Sequence, residues 1–267
     1  MSESKVAQLE PTTLQTGEGA PAVPKGVMAA DYAADRTKKP HLLFRFRCRA
    51  LIAARMYRRF ERSPARPVIA DFGAADGRAM LETHRLLDAS SSVGVEWAED
   101  LIASAPALPP GCSLVQGDVT QPNPHITAGT FDCVTALAVF EHIEKPERMA
   151  ARMFEALKPG GLMIATCPSG IWDRISGAVG LHKDEYHEGE FNKARFEQVA
   201  RAGGLEPLFY QRFMFAPIGV LPYARIPVSP AFALAVDSVL APIPIVNLAM
   251  VNQVFVARKP LARGVGV

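Results

Sequence analysis

Three segments of this sequence each end a short apolar run in a carboxylate. That pattern sets proton acceptors side by side, where hydroxyl and amino groups of a ligand could donate to them. The first is Val68-Ile69-Ala70-Asp71-Phe72-Gly73-Ala74-Ala75-Asp76-Gly77, with a helix-like stretch from Arg78 behind it. Apolar residues running into an acid and Gly read as a buried parallel strand breaking into a tight turn. Glycine lacks Cβ and tolerates positive φ, so backbone at such a turn can approach a ligand closely. The second run, Ser92 to Trp97, ends in Glu96, and the third, Ser113 to Val119, ends in Asp118. Taken singly, Glu96 reads as a solvated strand-end acid and Asp118 as a turn former. Three such units in succession favour the ligand-facing reading for all of them, since open α/β sheets bind nucleotides at strand tips.

The spacing narrows the ligand. A dinucleotide fingerprint wants a small residue at its sixth position, where this chain has Arg78, and a phosphate loop wants Gly-Lys-Ser/Thr, which is absent. A nicotinamide dehydrogenase is therefore disfavoured. The Gly73-x-x-x-Gly77 turn after Asp71 instead resembles the first motif of class I S-adenosylmethionine-dependent methyltransferases, with Ala75 where that family usually carries Gly. The resemblance runs unbroken from Val68 to Pro168. Thr130 to Ile143 looks like the strand and Glu-His signature of the ubiquinone-biosynthesis-like subgroup, and Leu157-Lys158-Pro159-Gly160-Gly161 with the apolar strand after it matches the fold's fifth unit.

The resemblance implies a seven-stranded Rossmann-like sheet, mostly parallel with the last strand antiparallel and helices on both faces. It also implies S-adenosylmethionine as cofactor. Its contacts would be Asp71, Gly73, Ala75 and Gly77 in the turn, Glu96 and neighbouring Trp97 at the ribose, Asp118 and Val119 at the adenine, and Leu137 after strand four. The segment His41 to Arg47 resembles the one preceding the first strand in many family members. Its helix usually caps the cofactor, so Arg45 is the candidate partner for the methionine carboxylate. The pattern Tyr186 to Phe191 with the following helix resembles the family's acceptor side and singles out His187. His142 and His187 are candidate bases, because a neutral His near pH 7 can take a proton from an acceptor hydroxyl. For His142 the alternative role is orienting the following helix; for His187 it is an ordinary surface residue.

The elements that must hold these groups follow from composition and pattern. With 267 residues, 49% of them hydrophobic, one substantial core is expected. The +2 net charge gives no sign of a nucleic-acid binder, and no His/Cys cluster has metal spacing. Four cysteines without paired spacing read as reduced thiols in a cytoplasmic protein. Residues 1–28 read as a flexible tail and 29–267 as one methyltransferase domain, with an N-terminal cap helix over 41–60. Arginines populate that helix outside its apolar face, and a basic amphipathic helix could rest on an anionic membrane. Strands over 208–213 and 253–258 should pair as a closing hairpin.

Between them, 216–251 is a proline-rich apolar insert carrying only Arg225 and Asp237 as charges. It is too interrupted for the roughly 20 apolar residues a bilayer span needs. It reads as a helical lid or a dimer surface, or as a wall for an apolar, lipid-like acceptor. A small-molecule acceptor, peripheral membrane contact and a monomeric or homodimeric state are the partner expectations. The rival reading is a catalytically silent cofactor-binding domain serving as a partner or membrane-surface adaptor.

Overall fold

The structure is a computed structural model and describes residues 38–62, 65–170, 172 and 190–261. The tail expected over 1–28, and His187 with most of the acceptor-side loop, lie outside the described residues.

The apolar runs form seven strands: β1 (Val68–Phe72), β2 (Ser91–Glu96), β3 (Cys112–Gln116), β4 (Phe131–Leu137), β5 (Leu157–Pro168), β6 (Glu206–Phe215) and β7 (Met250–Arg258). They make one sheet in the order β3-β2-β1-β4-β5-β7-β6. β7 runs antiparallel to both of its neighbours, and the other recorded pairings, from β3 across to β5, are parallel. This is the Rossmann-like arrangement expected. The described α-helices are α1 (Pro40–Phe60), α2 (Arg78–Leu87), α3 (Glu99–Ala103), α4 (Pro146–Ala156), α5 (Lys193–Ala202), α6 (Ala216–Gly219), α7 (Pro230–Leu240) and α8 (Pro244–Asn247).

Local chemistry explains where several helices start. Pro40 and Pro230 sit at first-turn positions, where a missing N–H costs nothing. Asn192 accepts from Arg195 N–H at 3.0 Å and Ser229 from Phe232 N–H at 3.0 Å, each satisfying a donor the first turn leaves free. Each face of the sheet then buries its own core. On one side, α4 and α5 contribute Met149, Met153, Phe196 and Val199, and Phe140, Phe191 and Phe255 pack among them. On the other, α1 contributes Cys48, Ile52, Ala53 and Met56 against Ile69, Ile164 and Val254, with Ala233 and Leu234 of α7 beside them.

The expected cap helix is therefore chiefly a structural layer. Its small residues Ala50, Ala53 and Ala54 are buried, which lets the backbone lie close to the sheet. At one end the Arg258 guanidinium donates to Phe60 O at 2.6 Å, and Arg258 pairs with Leu162 near the start of the regular part of β5. At the other, Arg49 donates from Nε and Nη2 to Asn252 Oδ1 at 3.3 and 3.2 Å, and Asn252 pairs with Pro168, the last residue of β5. So α1 runs opposite to β5, and its first turns arrive at the C-terminal edge of the sheet.

The insert also differs in its bounds. Met250 and Val251 belong to β7, because Met250 pairs with Phe215 across the hairpin; the connection spans 216–249. Between β3 and β4 the crossover is irregular from 117 to 130, without a helix. It is held by Asp118, whose Oδ1 accepts from Thr120 N–H and Oγ1, and by Asn123, which bonds His125 N–H and Gln116 O. Short side chains bonding backbone two residues on are an alternative to helical pairing.

Candidate active site

The turn after β1 is built for close approach. Gly73, Ala75 and Gly77 all have positive φ (75°, 49° and 74°). A Cβ on Gly73 would lie 2.6 Å from Val139 Cγ2, so glycine there lets the β1 turn pack directly on the chain leaving β4. Gly73 and Ala74 N–H both donate to Val95 O, at 2.8 and 3.0 Å, which pins the turn to β2. Ala75 is the one non-glycine of the three, and left-handed backbone costs an L-residue about 1–2 kcal/mol.

Glu96 at the end of β2 holds that turn. Its Oε2 accepts from Ala75 N–H at 2.8 Å and its Oε1 from Ala98 N–H at 3.0 Å. The side chain is 8% exposed. An ionised carboxylate has about four acceptor positions, so each oxygen retains capacity for one further donor. Trp97, half-buried, follows it and accepts from Gln116 Nε2 through its carbonyl at 3.3 Å. Asp118 has its turn-forming role through Oδ1, and Val119 is packed in the core below. Both residues also line a cavity of about 80 Å³ under the irregular crossover, together with Phe72, Val95 and Ile126.

Asp71 lies within β1 and not in the turn. It is buried, and Thr135 Oγ1 donates to its Oδ1 at 2.6 Å on the α1 side of the sheet. Leu137 is the last residue of β4. Ala138 then takes φ 63° while its N–H donates to Thr166 O at 2.8 Å, and this bend brings Val139 against Gly73. His142 follows in a 3-10 turn, Phe140–His142, and is half-buried. Its neighbour Glu141 is buried and accepts from Cys167 Sγ at 3.0 Å, leaving Oε1 without a partner. Burial, with the nearby Glu141 charge, pushes the Cys167 thiol well above its ordinary value. Arg45 is half-buried in the first turns of α1, one helical turn before buried Arg49.

The turn, Glu96, Asp118 and the β4 exit with His142 therefore share the C-terminal edge of the sheet, and the first turns of α1 with Arg45 end at that edge. Gln253 was not singled out by any sequence pattern, yet it organises the neighbouring loop. Its Nε2 donates to Pro168 O and to Phe191 O, both at 2.7 Å, and its Oε1 accepts from Tyr210 O–H at 2.9 Å. One buried amide thus joins the two ends of the segment that carries His187. No local signal could reveal this, because the partners come from three distant parts of the chain.

Residues 70–165 match the family model described as a methyltransferase domain. By that match, residues 70–165 are a methyltransferase domain. No curated protein matches the chain by sequence. Among solved structures, it is similar to the complex of the Haloferax volcanii Trm112 methyltransferase activator with its methyltransferase. That match has TM-score 0.61 and 14% identity over 88% of this chain and 95% of that one. An S-adenosylmethionine-dependent methyltransferase from Mesorhizobium loti matches with TM-score 0.54 and 17% identity, over 77% and 96%. Phosphoethanolamine N-methyltransferase 2 of Haemonchus contortus, in complex with S-adenosyl-L-methionine, matches with TM-score 0.57 and 17% identity, over 89% and 61%. The fold is shared with S-adenosylmethionine-dependent methyltransferases. The residues present fit that cofactor: a turn of positive φ beside the Glu96 and Asp118 carboxylates, which keep spare acceptor positions at two adjacent strand ends.

Proposed function

We propose that this methyltransferase acts on an oxygen or nitrogen of a small, apolar or lipid-like molecule. The observation that carries the reading is the clamp between Glu96 and Ala75, which ties an acid with spare acceptor capacity to a turn of positive φ. When bound, S-adenosylmethionine supplies a methyl group on a positively charged sulfur, an electrophile for in-line attack. In this reading Glu96 accepts from ribose hydroxyls and Asp118 from the adenine amino group. Gly73, Ala75, Gly77, Trp97, Val119 and Leu137 form the surrounding wall. Asp71 keeps β1 and β4 in register through Thr135, and Arg45 pairs with the amino-acid carboxylate. His142 or His187 takes the proton when the acceptor is a hydroxyl; the rest of the catalysis is positioning.

The acceptor's apolar character rests on the 216–249 connection, whose described side chains are almost all uncharged. Four unpaired cysteines support a reducing, cytoplasmic setting. Among the described residues no helix is long and apolar enough to cross a membrane, and contact with one would be peripheral. The test is methyl transfer from labelled cofactor in a cell extract, followed by partition into organic solvent. Label in the organic phase is expected; label confined to water-soluble products would reject the apolar acceptor.

A further inference from the structure

The insert faces outward with the wrong chemistry for bare solvent. In α7 the buried side is Ala233, Leu234 and Asp237, so the helix already has its inward face against α1 and β6. Its opposite side carries Phe232, Ala235 and Val239, spaced three and four residues apart and therefore on one stripe. Phe232 is 58% exposed and Val239 is 71% exposed, and Ile245 in α8 reaches 79%. Val220, Ile226 and Leu248 in the adjoining turns are also exposed. A helix that is apolar all round is normally covered on all sides, and a concentration of exposed apolar side chains marks an interaction surface.

Among the described residues of the insert and the start of α1, the exposed charges are positive. The insert's only acid, Asp237, is 1% exposed and spends its carboxylate on the N–H groups of Met214 and Phe215, at 2.6 and 2.9 Å. Its only other charge, Arg225, is exposed. The 3-10 turn Leu221–Ala224 abuts the start of α1, where Tyr223 stacks on His41 with ring centroids 4.0 Å apart. Lys38 and Arg47 are exposed there, and residues 38–60 contain no Asp or Glu.

We propose that α7, α8 and the turns beside them dock on an anionic lipid bilayer, with Phe232, Val239 and Ile245 entering the interface. Arg225 and the basic start of α1 would then meet the headgroups. An apolar face rimmed by positive charge is what such a surface recognises. A second copy of the chain would oppose the same positive rim to itself, which disfavours self-association through this face. The insert joins β6 and β7, across the sheet from β2 and its Glu96, and the proposal does not depend on which acceptor the site takes.

The test is co-sedimentation of the full chain with phosphatidylcholine vesicles, with and without phosphatidylserine. The wild type should pellet with the serine-containing vesicles and be released by salt, since screening weakens the headgroup attraction. The double variant Phe232→Glu/Val239→Glu should bind about tenfold more weakly or worse, with an unchanged circular dichroism spectrum and unchanged affinity for S-adenosylhomocysteine. Lys38→Glu/Arg225→Glu should lose the preference for anionic vesicles. Wild-type protein that stays in the supernatant with both vesicle types would overturn the proposal, and so would a double variant that pellets like the wild type. A wild-type dimer in sedimentation velocity that Phe232→Glu/Val239→Glu dissociates, without vesicle binding, would also overturn it and assign the face to a second copy.

Discussion

At the tip of β2, each carboxylate oxygen of Glu96 meets a backbone N–H and keeps room for one further donor. On α7, the one acid also bonds two backbone N–H groups but faces wholly inward, while Phe232 and Val239 face out. Both regions use a carboxylate to fix a strained bend: Ala75 and Met214 each have positive φ without being glycine (49° and 67°). They differ in what is left over. The strand tips keep polar acceptor capacity for a small polar ligand, and the insert keeps apolar area for a large apolar one. A carboxylate clamp is thus a structural device first, and function depends on what remains unspent around it.

The comparison can be broken most severely at Asp237. Asp237→Ala would orphan two backbone N–H groups, at about 1–3 kcal/mol each, so urea unfolding should show a loss of about 3 kcal/mol or more. Burial raises the Asp237 carboxyl above its ordinary value, although the two N–H bonds pull it down. A raised folded value means that its share of stability is full in acid and is lost as pH rises through that value. Relative to Asp237→Asn, which cannot titrate, the wild type should gain stability as pH is lowered through the same range.

Gly73→Ala should cost somewhat less, about 2 kcal/mol. It combines a positive φ with a Cβ 2.6 Å from Val139, and it should weaken S-adenosylhomocysteine binding in calorimetry. Ala75→Gly should change stability by about 1 kcal/mol or less, since relief of the left-handed backbone is offset by the greater freedom of Gly in the unfolded chain. Cofactor affinity should hold or improve. A large loss would show that the Ala75 methyl is a contact.

The smallest effect expected is a labelling order. Burial, with Asp237 nearby, pushes the Cys48 thiol up to about 12, and burial raises Cys133 and Cys167 as well. Half-buried Cys112 should therefore react first with iodoacetamide in the native state, read by mass spectrometry.

Much of the fold was legible because its signals are local. Apolar runs ending in Asp or Glu and the Gly73–Gly77 turn each fit within about ten residues and became β1 to β3 and a turn of positive φ, whereas Lys158–Gly161, after the helix ending at Ala156, is taken into β5. What stayed hidden depends on long separations. Arg49 and Asn252 are 203 positions apart, so the sequence offered no reason to expect Arg49 to be the buried arginine of α1. Gln253 joins Pro168 and Phe191 across 85 and 62 positions, and only β7's insertion between β5 and β6 brings it there. The absent helix between β3 and β4 reflects Asp118 and Asn123 turning the chain back on itself, a local signal easily read as an ordinary strand exit.

The central claim is that the Glu96 clamp is the heart of the cofactor site. The direct measurement is calorimetric titration of S-adenosylhomocysteine into wild-type protein and Glu96→Ala. Charge-assisted bonds worth roughly 1.5–3 kcal/mol predict a ten- to hundredfold loss of affinity, with the far-ultraviolet spectrum retained. Equal affinity in the two proteins, both folded, would contradict the account and move the cofactor away from the tip of β2.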